Sequence, residues 1–380
     1  MKNNLAPTYS QIIDQHFIHW FQKSNSYIII NEVLNNYLTN YFTAKNKSDF
    51  IFKVASTEKL KNENLEAEAI YNDISLFLEE QNKPLSLNEA KENEFDNSYR
   101  NYKESYQINK HTVEIYFSSE KIKQYIHPQL MHLCGISKNK KTTIFDIYEQ
   151  HNNLHLFKNE KFIGSYEPTN YHLLQGRFVM ELLCVLHNTK EHDWLGTFHA
   201  STVSNGKEAI MLVGDSGNGK STFCSLLMAS GLDLMADDIT PILSKNKEVY
   251  HYPAAISIKQ GAFEMLTNYI PHFNKFDSFD SGTKKGLLKY IPPQQHFENT
   301  IQHLPCTKIV YVKYDSLAST SLIKTGADKV LQTLIPDSWV SPQHKNAKQF
   351  LNWLENLSYY ELNYSDNNKA IEFFKQLFSN

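Results

Sequence analysis

Apolar and polar positions alternate in changing rhythms along this chain, and the changes mark its elements. Residues 17–21 and 27–30 are short apolar runs that read as strands. Residues 31–42 carry helical spacing, and 50–54 read as a further strand. Residues 67–79 form an amphipathic helix with Ile70, Ile74, Leu76 and Leu78 apolar. From 82 to 104 the chain is rich in Asn, Glu, Lys and Ser and reads as a linker or exposed loop. His111–Phe117 alternates as a half-buried strand should, and 142–149, 154–157 and 161–166 add strand-like runs. Tyr171–Leu186 then shows a helical period, with Leu173, Leu174, Phe178, Leu182, Leu183 and Leu186 on one face.

The second half begins with a strand-like run over 194–203. Asn205-Gly206 separates it from Ala209–Val213, which is the sequence of a tight hairpin. Ala209–Val213 is apolar throughout, as a buried parallel strand would be. A helix over 222–230 ends at Gly231, and 232–236 read as the next strand. Further strands are expected over 248–252, 255–258, 308–314 and 359–363, and helices over 261–268, 346–357 and 367–378. Residues 273–289 are polar, contain Gly282 and Gly286, and read as a mobile loop. The resulting divisions are a small α/β accessory domain over 1–80, a linker over 81–105, a β-rich part over 106–190 and a larger α/β domain over 191–380.

The junction between the apolar run and the following helix carries chemistry. Gly214, Asp215, Ser216, Gly217, Asn218, Gly219, Lys220, Ser221 and Thr222 satisfy the pattern G-x-x-x-x-G-K-[ST] between a strand and a helix. Glycines let successive backbone N–H groups point at phosphate oxygens, at a helix N-terminus whose dipole favours anions. Lys220 would reach the β- and γ-phosphates of a nucleotide, and the Ser221 hydroxyl would hold Mg²⁺. Asp237 and Asp238 follow at the C-terminal edge of the next strand, where open α/β sheets bind ligands. One carboxylate can hold Mg²⁺ while its neighbour acts as general base toward an incoming hydroxyl. The hairpin brings the strand of His199 beside the strand that feeds the loop, so His199 can orient one of the acids.

Composition narrows the setting. The 380 residues are 41% hydrophobic and 21% charged with a net charge of −3, which offers no basic footprint for nucleic acid or an anionic membrane. Cys134, Cys184, Cys224 and Cys306 lie far apart without a C-x-x-C pair, so they fit reduced thiols in a cytoplasmic protein and supply no zinc motif. The N-terminus shows no signal-peptide core, and no stretch of about 18 apolar residues marks a membrane span. The expected protein is cytoplasmic.

The run GDSGNGKST, followed by SGLDLMADDI and preceded by FHAS, resembles the HPr kinase/phosphorylase family, which shares a core with phosphoenolpyruvate carboxykinase. The resemblance extends through 252–259. It implies an α/β fold: a C-terminal P-loop core of that type with a mixed sheet, and a small N-terminal α/β domain. It also implies transfer of the γ-phosphoryl group of ATP (or GTP) to a serine-type hydroxyl of a peptide, protein or small molecule. In that scheme Lys220 stabilises the transferring group, Ser221 and Asp238 hold Mg²⁺, and Asp237 takes the hydroxyl proton with His199 in support. The two acids can exchange these roles. The family's habit of assembly implies a homo-oligomer. The N-terminal order of elements resembles the peptide-binding modules of the PqqD type. A nucleotide-binding switch without transfer is the alternative from another class. The sequence also departs from bifunctional members. It has no counterpart of their glycine-rich C-terminal stretch with an arginine, and no arginine follows Arg177, so a positive clamp must be lysine, with Lys284, Lys285 and Lys289 as candidates.

Overall fold

The computed structural model describes residues 2–57, 63–84, 93–135, 142–280, 286–295 and 301–379. Among these the fold is mixed α/β, with four sheets and eleven helices. The chain opens with an antiparallel meander, β1 (Tyr9–Ile13), β2 (His16–Phe21) and β3 (Ser26–Ile30). Three helices cover one face of it: α1 (Glu32–Thr43), α2 (Lys47–Thr57) and α3 (Glu63–Gln81). Phe21, Ile30, Leu38, Tyr41, Phe50, Val54, Ala67 and Leu78 form the core between them. The strand expected over 50–54 is thus part of a helix. Phe50 and Val54 lie one helical turn apart and are buried, whereas Phe52 between them is 73% exposed. The start of α2 is also capped, since Asn46 Oδ1 accepts the Asp49 N–H (2.9 Å) and Asp49 Oδ2 accepts the Lys45 N–H (2.8 Å). The other face of the meander packs on the C-terminal half through Ile13, Ile18 and Trp20.

A second sheet runs in the order β4 (Tyr102–Ile108), β5 (His111–Phe117), β6 (Thr142–Gln150), β7 (Asn153–Lys158), β8 (Lys161–Tyr166). Its pairs are antiparallel except β5–β6. Between β5 and β6 lie α4 (Glu120–Lys123) and α5 (His127–Leu130). The long helix α6 (Tyr171–Leu186) buries Leu174, Phe178, Leu182 and Leu183 against this sheet. Residues 93–101 differ from the exposed stretch expected over 82–104. Phe95 packs on Phe157, and Arg100 donates from Nε (2.6 Å) and Nη2 (2.9 Å) to the buried carboxylate of Asp146. The Asp146 counterion holds this segment down.

The largest sheet has ten strands. One half runs β12 (Asp233–Ala236), β10 (Ser201–Ser204), β11 (Ala209–Val213), β18 (His303–Tyr314), then β21 (Ser358–Tyr364) and β19 (Ser321–Lys324). The other half leaves β18 through β14 (Glu248–Tyr250), β13 (Thr240–Leu243), β9 (Trp194–Phe198) and β20 (Trp339–Val340). β11 lies parallel to β18 and antiparallel to β10, as the Asn205-Gly206 hairpin requires. The helices α7 (Lys220–Ala229) and α11 (Asn367–Gln376) pack on one face, with α9 (Ala327–Leu334) and α10 (His344–Glu355) on the other.

Three sequence expectations change here. The run 194–203 is two strands in different halves of the sheet, because the chain turns sharply at His199, where the Ala200 N–H bonds to Phe198 O (2.8 Å). The loop expected over 273–289 contains β16 (Ser278–Asp280) and the start of β17 (Leu287–Ile291), which pair with β15 (Ile256–Lys259) in a third, small sheet. The helix expected over 261–268 reduces to α8 (Phe263–Leu266).

Candidate functional site

The site begins where β11 ends. All five residues of β11 are buried, and Gly214 follows against β18. A Cβ at Gly214 would lie 2.6 Å from Val312 O, so only glycine lets the two backbones approach this closely. The chain then loops outward, with Asp215, Ser216 and Gly217 exposed. Gly217 (φ 96°) and Gly219 (φ 82°) are left-handed, which turns the loop back into the first residue of α7, Lys220.

β18 pins this loop from beneath. Tyr311 Oη donates to Asp215 Oδ2 (2.7 Å), Asn218 Nδ2 donates to Tyr311 Oη (3.1 Å), and the Tyr314 N–H donates to Asn218 O (3.1 Å). Burial, and then the bond to Asp215, push the Tyr311 hydroxyl up to about 12, so it stays a donor. Sequence reading missed Tyr311, because nothing local marks a residue 96 positions away as the floor of a loop.

Lys220 is buried, and its Nζ lies 3.4 Å from His199 O. Burial draws its pKa below the ordinary lysine value, while Asp238, Asp237 and Asp337 act to hold its proton. Asp237 closes β12 in full burial, where Oδ1 accepts the Ser201 hydroxyl (2.5 Å) and Oδ2 accepts the Ser257 N–H (3.3 Å). Burial, reinforced by the adjacent Asp238 charge, raises its pKa well above the ordinary carboxylate value against the opposing pull of Ser201, Lys220 and Ser221. Asp238 adopts a left-handed backbone (φ 61°), a costly conformation for a residue with a Cβ. That kink turns its carbonyl toward the β9–β10 corner, where it lies 3.2 Å from His199 Nδ1. A carbonyl only accepts, so Nδ1 carries the proton and Nε2 is the bare nitrogen. Burial and then Lys220 keep the His199 ring below its usual pKa, hence neutral.

The geometry therefore redistributes the expected contacts. Lys220, Ser221, Asp237, Asp238 and His199 come together at the N-terminus of α7, with Thr222 in the same first turn and half-buried. His199 touches the backbone of Asp238 and not the carboxylate of Asp237. The Ser221 hydroxyl interacts with Asp237. Of the lysines expected as a clamp, Lys284 and Lys285 lie outside the described residues. Lys289 is buried under the rings of Phe263 and Phe273, and its Nζ donates to the carbonyls of Phe273, Asn274 and Phe276 (3.4, 3.3 and 2.7 Å). It closes a turn and is not free to meet a phosphate.

Sequence reading also missed the segment between α9 and β20. Ser338 Oγ accepts the His199 N–H (3.0 Å) and donates to Leu334 O (2.5 Å), and the charge of exposed Asp337 reaches both His199 and Lys220. Only the pairing of β20 with β9 brings residues 139 positions apart together.

No protein-family model matches the sequence, and comparison with curated proteins gives no match either. Among solved structures, the Hpr(Ser) kinase/phosphatase from Coxiella burnetii aligns with 48% of this chain and 94% of its own, at 12% identity and a TM-score of 0.23. An overlay that loose is a weak structural similarity and decides nothing about chemistry. No described helix is long and apolar enough to cross a membrane.

Proposed function

We propose that this chain is a phosphotransferase that binds ATP or GTP on the loop 214–221 and passes the γ-phosphoryl group to a serine-type hydroxyl of a peptide or protein. The observation that carries the proposal is the convergence of Lys220, the Asp237–Asp238 pair and His199 at the N-terminus of α7, beneath a glycine-rich loop. The loop's exposed N–H groups and the helix dipole would bind phosphates, and Lys220 would hold charge on the group being transferred. The donor set suits a divalent cation. A hydroxyl and two carboxylates are hard oxygen donors, and a positive charge beside Asp237 would offset the burial that favours its protonated form. Mg²⁺ held by Ser221 and Asp237 would neutralise phosphate charge. Asp238, half-buried and close to neutral His199, is then the group placed to take the proton of the incoming hydroxyl. This is the exchanged assignment of the two acids, and the full burial of Asp237 beside the more accessible Asp238 is what favours it.

The test uses purified protein, γ-labelled ATP, Mg²⁺ and a lysate of the native host, beside the Lys220→Ala and Asp238→Asn variants. A labelled polypeptide that appears with wild type and disappears with both variants is the expected result. Label that persists in both variants, or wild type that binds ATP and labels nothing, would overturn the phosphotransferase reading.

A further inference from the structure

Away from the loop 214–221, three residues of different chemistry meet at one end of the β4–β8 sheet. Glu104 sits on β4, His127 is the first residue of α5, and Cys134 follows the 3-10 turn Met131–Leu133. Backbone bonds fix this convergence. Cys134 forms an isolated antiparallel bridge with Tyr106, and the Gly135 N–H donates to Ser105 O (3.1 Å). One ligating atom from each of the three side chains lies within 4.8 Å of the other two. Cys134 Sγ lies 3.9 Å from Glu104 Oε2.

We propose that Glu104, His127 and Cys134 form a binding site for a borderline divalent transition metal of the zinc class. Carboxylate, imidazole and thiolate donors in one cluster select such an ion over Mg²⁺ or Ca²⁺, which take oxygen ligands. Three protein ligands leave a fourth tetrahedral position for water or another small ligand. The surroundings are those of a supported site. The buried Tyr106 hydroxyl holds His127 Nδ1 at 2.9 Å, which fixes the ring. Lys123 Nζ bonds Glu104 Oε1 (2.6 Å), so the carboxylate is oriented from one oxygen while Oε2 faces the thiol. Cys134 is exposed, which gives an ion a path in. The spacing Glu104–His127–Cys134 matches no short motif, which is why the cysteine pattern alone did not reveal it. The inference does not depend on the phosphotransferase reading, and neither test bears on the other.

The experiment titrates Co²⁺ and then Zn²⁺ into tag-free full-length protein, stripped with chelator and kept reduced, beside the Cys134→Ser and Glu104→Gln variants. Wild type should bind one Co²⁺ with a thiolate-to-cobalt charge-transfer absorption, and Zn²⁺ should displace it. Cys134→Ser, a change at an exposed position, should lose that absorption while keeping the wild-type circular dichroism spectrum. Glu104→Gln should weaken Zn²⁺ binding by roughly 10–100-fold. Absence of the thiolate band in wild type, or equal metal affinity in wild type and Cys134→Ser, would overturn the proposal.

Discussion

Replacing Tyr311 by Phe isolates the contribution of the floor beneath the loop. The ring is almost fully buried, and Lys329 Nζ lies 4.5 Å from its centroid, so Phe keeps the packing and the cation–π contact. What disappears is the hydroxyl, and with it the bonds to Asp215 (2.7 Å) and from Asn218 (3.1 Å). A hydrogen bond to a charged group contributes about 1.5–3 kcal/mol when shielded and a neutral one about 1 kcal/mol. Asp215 is exposed, so water recovers much of the first. The net loss is about 1–2 kcal/mol, spent on holding the loop in one conformation before any ligand arrives. If the loop binds nucleotide, that loss becomes a roughly 5–30-fold rise in the Kd for Mg-ATP. Isothermal calorimetry on wild type, Tyr311→Phe, Asp215→Asn and the double variant measures this. The two single changes should be non-additive, because they act on the same bond, one by removing its donor and the other by removing the acceptor's charge. A Tyr311→Phe protein that binds Mg-ATP within twofold of wild type, while Lys220→Ala binds none, would refute the reasoning and show that the glycines alone set the loop.

Two further outcomes follow from packing and burial. Gly214→Ala should destabilise the protein by about 2–4 kcal/mol in urea unfolding, since its Cβ would meet the backbone oxygen of Val312 at 2.6 Å and neither strand can retreat without breaking the sheet. Burial lowers His132 and His187 to about 4. Between pH 6.5 and pH 4 the unfolded chain therefore binds more protons than the folded one, and stability must fall as pH drops through that window. The loss should be on the order of 2–3 kcal/mol per histidine, and a His187→Gln variant should show a shallower fall when unfolding curves at pH 7 and pH 5 are compared.

The sequence made the strand–loop–helix unit legible because its determinants are local. An unbroken apolar run, glycines at the turning points and an amphipathic continuation sit within about 20 residues. The Asn205-Gly206 hairpin was legible for the same reason. The failures were of two kinds. At 50–54 aromatic and β-branched composition outweighed the spacing of Phe50 and Val54, although the Asn46–Asp49 cap was present to be read. At 199 and 289 the determinant was remote. His199 is turned out of a strand by Ser338, and Lys289 is held by carbonyls of the 273–276 turn, which no pattern around either residue announces. The candidate site divides likewise, since its loop and acids could be read from neighbours in sequence whereas Tyr311, Ser338 and Asp337 are placed only by strand pairing.

The position of β18 has a consequence for how this protein is made. This twelve-residue strand joins both halves of the large sheet, pairing with β14 near its start and with β11 and β21 further along. During synthesis, β11 and the loop after it leave the ribosome about 90 residues before the strand that must lie beneath them, and β21 comes later still. Until then an apolar strand waits with one edge unpaired, a state open to wrong partners. Folding of the second half is therefore bound to late, long-range closure, and should be slow and all-or-none across both halves of the sheet. A truncation that ends before residue 303 should fail to yield a soluble domain, even though it retains every residue of the loop.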